Sequence, residues 1–538
     1  MKLLRLVCFT PALAALALSP TVRADSADPR PAQNSYAESI DVRVVNVEAV
    51  VTDRRGNRVQ GLKASDFRLL VDGKEVPVDY FTEVSAGETA AAAPAEPGAP
   101  APAVSATATA TASGKVGTSY LVFIDESFSI AAQRDVVLRR LLADLGRLGA
   151  GDQMAVVAFD GKRIDLLTNW TGDRDALRRT FEEAQKRPTG GLQRLAERRS
   201  EGIAGDLIVE PGVEYGLFTE VESAISASSA AMRGVTPPPG RKVLLLLSGG
   251  WPAISSQYQT ADLRHAPSIL DIDEPEDLFR PVTETANLLG YTIYPVDVQG
   301  LDPESSWASA EASLSVAHGF ITADWERGVH QAMEYLAGET GGKAVLNSAR
   351  LNAFERVEAD TRTYYWLGFT PEWRADGKRH DIRVEVRRPG TRVRARGGFS
   401  DFSRETQAGL QTESLLLFGG DPAADRIRVT AGEPRRIGLW KRELPVTLEI
   451  PAGSLTPLPV EGGYEAQALL SMGSLDDGDG RARLQTLPLR LTLPEAPKPG
   501  TYARYETTLK LPTGKQRVVF SVEDTTGGGR SWAELEVH

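Results

Sequence analysis

The chain has 538 residues, 41% of them hydrophobic and 25% charged, which is a globular composition too long for one ordinary domain; about two to four are expected. A formal charge of −11 argues against a nucleic-acid binder, which would carry a basic stripe. The single cysteine, Cys8, lies in the first segment, so a chain trimmed of that segment has no disulfide, thiolate metal centre or cysteine nucleophile.

Residues 1–24 read as a signal peptide. Lys2 and Arg5 precede the apolar run "LVCFTPALAALALSP", which is too short for a stable transmembrane helix, and "TVRAD" offers cleavage after Ala24. The mature chain then starts at Asp25 with a net charge of −14, because Lys2, Arg5 and Arg23 are lost. An uncleaved anchor is the alternative, disfavoured by that length. No later stretch reaches ~18 consecutive apolar residues, so the expectation is an exported protein, periplasmic or extracellular, without a transmembrane segment.

Residues 25–38 are polar and expected to be disordered. Strand-like alternation over 39–84 ("SIDVRVVNVEAVVTD", "FRLLVDG", "KEVPVDYF") gives about four strands, too few to bury their own core. Residues 85–115 form an Ala/Pro/Thr-rich linker. Over 116–350, continuous apolar strands ("TSYLVFID", "MAVVAFD", "KVLLLLSGG", "YTIYPVDV", "KAVLN") alternate with amphipathic helices, which specifies a doubly wound, Rossmann-like α/β domain on a parallel sheet. Strands return over 360–400 and are expected to complete the N-terminal β-sandwich, with the α/β domain inserted in it. Contact of Val44–Val50 with Arg383–Val386 would be the sign. Residues 402–538 read as a separate C-terminal antiparallel, Ig-like β-sandwich.

The first α/β strand ends in "DESFS", placing Asp125, Ser127 and Ser129 where open α/β sheets bind ligands. One carboxylate and two hydroxyls suit a hard divalent cation such as Mg²⁺. A helix cap formed by Ser129 or a neighbour is the alternative.

This strand–"DESFS"–helix segment, with "LLLLSGG" and "GYTIYPVDV", resembles a von Willebrand factor A domain over about Thr118 to Asn347. The flanks "VVTDRRGNRVQGLKASDFRLLVDGKEVPVDYF" and "TYYWLGFTP…IRVEVRRPGTRVRARGGF" resemble the bacterial exported VWFA-related proteins of Acidobacterial type. The resemblance implies a metal-ion-dependent adhesion site in which Asp125, Ser127 and Ser129 hold Mg²⁺ or Mn²⁺ and a carboxylate of a protein partner completes the shell. The match departs from the family at two points. In "RPTGGLQRL", Thr189 precedes the glycines and Leu192 stands where the distal Thr is expected; in "SGG", Ser248 is followed by Gly249 and Gly250 rather than an acid. Thr189 and Ser248 are then outer-shell candidates, and Glu126 and Asp160 are nearby acids able to substitute.

Arg194, Arg198 and Arg199 form the one basic cluster near this loop; a solvated helix face is preferred for it over an acidic-partner contact. The expected partner face comprises Glu126, Asp160, Arg194 and Arg198. Catalytic signatures are missing: His265, His318, His330 and His380 lack metal-ligand spacing, and there is no G-x-S-x-G elbow, G-x-G-x-x-G or P-loop. "LDDGDGR" reads as a hairpin turn rather than a calcium loop, and Tyr364, Tyr365, Trp366 and Trp373 as sandwich core rather than a sugar platform. The expectation is a non-enzymatic adhesion or scaffold protein with a degenerate metal loop and no catalytic residue. The alternatives are a hydrolase or carbohydrate-active envelope protein with an unrecognised site, and a structural spacer.

Overall fold

The structure, a computed structural model, describes residues 44–89, 116–194, 213–235, 238, 240–253, 276–298, 316–346, 352–419, 425–438, 440–460, 462–476, 482–493 and 500–537. The expected signal peptide, the polar stretch after it, most of the Ala/Pro-rich linker, Arg198 and Arg199, and most of "LDDGDGR" lie outside the described residues. Two compact units divide the described chain, one within Val42–Phe402 and one within Ser403–His538.

The first unit opens with β1 (Val45–Thr52), β2 (Phe67–Val71), β3 (Lys74–Val76), β4 (Tyr80–Ser85) and β5 (Glu88–Thr89). The α/β part follows as β6 (Thr118–Asp125), α1 (Ala131–Asp144), β7 (Gln153–Phe159), β8 (Ile164–Thr171), α2 (Arg174–Ala184) and α3 (Val213–Gly234). It continues with β9 (Arg241–Ser248), α4 (Glu276–Leu289), β10 (Tyr291–Asp297), α5 (Val316–Thr340) and α6 (Ala353–Thr361). The unit ends with β11 (Tyr364–Phe369), β12 (Arg379–Val386), β13 (Arg392–Arg394) and β14 (Gly398–Ser400).

The α/β sheet has the order β10-β9-β6-β7-β8. Every residue of β6 and β10 is buried, as apolar runs covered on both faces require. On one face Tyr120, Val122 and Ile124 pack with Val137, Leu138 and Leu141 of α1, Phe181 of α2 and Phe354 of α6; Leu121 and Phe123 on the other face are equally buried. Each such Leu or Ile contributes about 1.5–3 kcal/mol by leaving water. β6 pairs in parallel with both β7 and β9, so its carboxyl end lies where the strand order reverses.

Two details differ from the sequence expectation. "IDLLTNWT" forms β8, antiparallel to β7, an edge strand whose half-exposed residues carry no continuous apolar signal. "KAVLN" makes only a single bridge, Val345 to Val296.

The β-rich part of this unit draws strands from both sides of the α/β part. β1 pairs antiparallel with β11 from Val45↔Phe369 to Ala49↔Tyr365 and with β13 from Val50↔Arg394 to Thr52↔Arg392. β2 pairs with β12 from Ile382↔Val71 to Val386↔Phe67. Sheets β13-β1-β11-β4-β5 and β14-β12-β2-β3 share one core, with Val45, Val47 and Tyr365 from the first and Phe67, Leu69 and Ile382 from the second. Val384 and Val386 pack against that same core, which includes Val45 and Val47, while their hydrogen-bonded neighbours are in β2. Tyr364, Tyr365 and Trp366 are buried in these cores, as strand aromatics usually are.

The seam between the β-rich and α/β parts is ionic. Arg241, 1% exposed at the start of β9, meets Glu48 of β1 at 2.9 Å, donates to the Thr361 carbonyl at 2.8 Å and lies 4.3 Å from the Tyr364 ring centroid. Asp360 at the end of α6 pairs with Arg58 at 2.5 Å and with Arg394, and accepts the Tyr294 hydroxyl at 2.7 Å.

The second unit opens with a helix the sequence reading did not anticipate, α7 (Arg404–Phe418). Ser403 caps it, accepting from the Thr406 amide at 3.1 Å. Leu416 packs on Val519 and Trp532, and a Cβ at Gly473 would stand 2.5 Å from Leu416 Cδ1, so a larger residue there would have to displace the Leu416 side chain. The remaining elements are strands in two antiparallel-rich sheets around one core, including Leu448, Leu470 and Phe520. Among the described residues no helix is long and apolar enough to cross a membrane.

Candidate functional site

The site is built on the loop that leaves β6. Asp125 is fully buried, and its carboxylate is held from three directions. Ser248 donates its hydroxyl to Oδ2 at 2.7 Å, the Trp251 indole N–H donates to the same oxygen at 2.9 Å, and the Phe128 amide donates to Oδ1 at 3.2 Å. Burial pushes the Asp125 carboxyl above the usual carboxylate range, opposed by those three hydrogen bonds and by the charge of Arg194. Ser248 is fixed in turn, accepting from the Gly250 amide at 3.1 Å.

The serines are also committed. Ser129 donates its hydroxyl to the Asp125 carbonyl at 2.5 Å, and no side chain caps α1, so the helix cap does not describe its role. Ser127 accepts twice from Arg194: its carbonyl from Nε at 2.7 Å and its hydroxyl oxygen from Nη2 at 3.0 Å. The Arg194 guanidinium lies 4.3 Å from the Phe128 ring centroid and pairs with Glu220 of α3.

The "TGG" turn presses against this loop through its glycines. Gly190 donates to the Glu126 carbonyl at 2.9 Å and Gly191 to the Ser129 carbonyl at 3.0 Å. A Cβ at either would stand 2.8 Å from the Ser127 carbonyl oxygen or 2.5 Å from that of Ser129, so only glycine permits the contact. Thr189 is not among the partners of Asp125, and Leu192 is 62% exposed.

Of the expected partner face, Arg194 stays partly exposed while the two acids have structural duties. Glu126 is buried, paired with Arg187 at 2.7 Å and Arg134 at 3.7 Å, and cannot face a partner. Burial raises its carboxyl, with Arg187 and Arg134 opposing. Asp160 closes its own turn, accepting from the amides of Lys162 at 2.8 Å and Arg163 at 2.7 Å. Against a burial penalty these amides hold it below its ordinary value.

Three participants escaped the sequence reading. Trp251 sits three residues beyond its strand, and no spacing rule points to an indole donor. Glu220 lies far along the chain on α3. Asp297, level with Ser248 at the end of β10, lies 3.4 Å from His330 of α5; that its strand ends in an acid beside the same face was the one available signal.

Neither models of known families nor curated proteins match the sequence. Among solved structures, the chain is similar to the vWF domain of the type V pili tip protein Mfa5 from Porphyromonas gingivalis, at 12% identity over 45% of this chain and 94% of that one, with a TM-score of 0.26. It is similar to the pilus adhesin SpaC from Lactobacillus rhamnosus GG at 9% identity, over 78% of this chain and 53% of that one, with a TM-score of 0.28. A von Willebrand factor type A protein from Catenulispora acidiphila follows at 10% identity, over 79% and 66% of the two chains, with a TM-score of 0.22.

Proposed function

We propose that this chain is an exported adhesion or scaffold protein whose α/β part, of von Willebrand factor A type, binds a protein partner at the carboxyl ends of β6, β9 and β10. One observation carries the reading. The "DESFS" loop stands at the switch point of the sheet and is rigidified from two other segments, by Ser248 and Trp251 on one and by Gly190, Gly191 and Arg194 on the other. Loops pinned so thoroughly at that position serve recognition on a preorganised face. The reading is of a binding face rather than a catalytic one, because both serine hydroxyls are engaged with the loop itself or with Arg194 and not with a general base. The β-rich part of the first unit acts as the frame that carries this face.

The test is capture of envelope proteins on the immobilised exported chain, followed by cross-linking and mass spectrometry. Cross-links should fall on the carboxyl ends of β6 and β9 and on α3. Cross-links confined to the second unit would contradict the proposal.

A further inference from the structure

The donor set around Asp125 does not suit a hydrated divalent ion. Mg²⁺ and Mn²⁺ need several oxygens turned toward one point, with waters completing an octahedron. Here Asp125 Oδ2 takes two donors, and the Ser127 oxygens face the N–H groups of Arg194. A second acid is missing where the strand ends in Ser248, Gly249 and Gly250. What the loop does hold is a cation of its own.

We propose that the Arg194 guanidinium is the resident cation of this loop, standing where a divalent ion would otherwise sit. The placement is built rather than incidental. Gly190 and Gly191 bring the "TGG" turn onto the carbonyls of residues 126–129, and the Arg194 amide closes that turn on the Gly190 carbonyl at 3.1 Å. From there the side chain reaches back over the loop, bonds Ser127 twice and stacks on Phe128. Its remaining edge meets Glu220, a carboxylate 45% exposed, while the Arg194 side chain itself is 18% exposed.

A guanidinium offers a planar fork matched to a carboxylate and keeps its charge at every physiological pH. The pair therefore performs internally what a metal and a partner's acid perform in a metal-dependent face. An acidic side chain of a partner would compete with Glu220 for the fork, with no metal needed. This partner clause rests on the binding face proposed above; the identity of the cation does not.

The test uses Mg²⁺ and Mn²⁺ alone on the full exported chain, residues 25–538, by calorimetric titration and thermal melting. The intact chain should give no saturable heat and the same melting temperature in EDTA and in millimolar Mn²⁺. Arg194→Ala, which uncovers the Ser127 oxygens, should gain a saturable Mn²⁺ response and an upward melting shift. Arg194→Gln keeps a donor near Ser127 and should gain the same response more weakly, which guards against a folding defect in the first variant. A saturable isotherm in the intact chain that Asp125→Ala abolishes would overturn the proposal. So would continued silence in both Arg194 variants when they melt cooperatively. Neither outcome depends on finding a partner, so it stands or falls separately from the binding face.

Discussion

Two buried charge clusters lie at different levels of the first unit, and they are organised differently. At the seam, Arg241 and Asp360 are enclosed by Glu48, Arg394 and Tyr294, which lie on strands, and by Arg58 of the loop after β1. At Asp125 of the "DESFS" loop the carboxylate is held by neutral donors, and the guanidinium over Ser127, that of Arg194, is tied to an acid that reaches solvent. The seam consumes its charges within the fold. The loop leaves an ion pair at its rim, open to exchange. Buried pairs of the first kind are costly to break, while a half-exposed pair contributes little to stability and is free to serve recognition.

Arg241→Met should sharpen the contrast most. Among the described residues it leaves the largely buried Glu48 with Thr292 as its side-chain donor at 3.2 Å, and about 3–5 kcal/mol of stability should be lost on chemical denaturation. A loss below about 1 kcal/mol would place the seam with the surface pairs. Next, Asp125→Ala strands the Ser248 hydroxyl and the Trp251 indole N–H, costing about 2–4 kcal/mol and shifting Trp251 fluorescence before global unfolding. Asp125→Asn, which keeps an acceptor, should cost less.

The third prediction concerns acid. Burial works against ionised Asp360, but Arg394, Arg58 and the Tyr294 hydroxyl prevail and hold its carboxyl at about 2, below the ordinary 3.8. Its contribution is therefore complete above the unfolded value and is lost as pH falls through about 2, amounting to about 2 kcal/mol. Denaturation midpoints of Asp360→Asn measured from pH 5 to pH 2 should fall less steeply than those of the intact chain; parallel curves would remove Asp360 from the acid response.

The smallest effect belongs to His330, which Asp297 holds above its ordinary 6.5 despite a burial penalty. A raised histidine stabilises below its unfolded value, and that stability is lost as pH rises through the folded value, which lies above 6.5. Hydrogen exchange in α5 should accelerate over that rise, and His330→Asn should abolish the dependence.

The parallel strands were legible because each is a continuous apolar run, and the returning strands after residue 360 because the β segment over 39–84 could not close a core alone. β8 was not legible: "IDLLTNWT" lies at an edge, where half-exposure removes the signal. α7 was hidden because its apolar residues cluster in "SLLLF" instead of spreading along a stripe. At the loop, Asp125, Ser127 and Ser129 stood out by spacing, but spacing cannot say where a hydroxyl proton goes. Arg194 was visible only as a member of a basic run. Its position over Ser127 depends on two glycines packing against carbonyls, a tertiary contact that no local pattern encodes.

The most direct test of the account is capture of a partner by the intact exported chain and by Arg194→Glu, each in EDTA and in Mn²⁺. Capture by the intact chain that persists in EDTA and disappears with Arg194→Glu is the expected result. Capture that EDTA abolishes, or that Arg194→Glu leaves unchanged, would contradict a face built around a guanidinium.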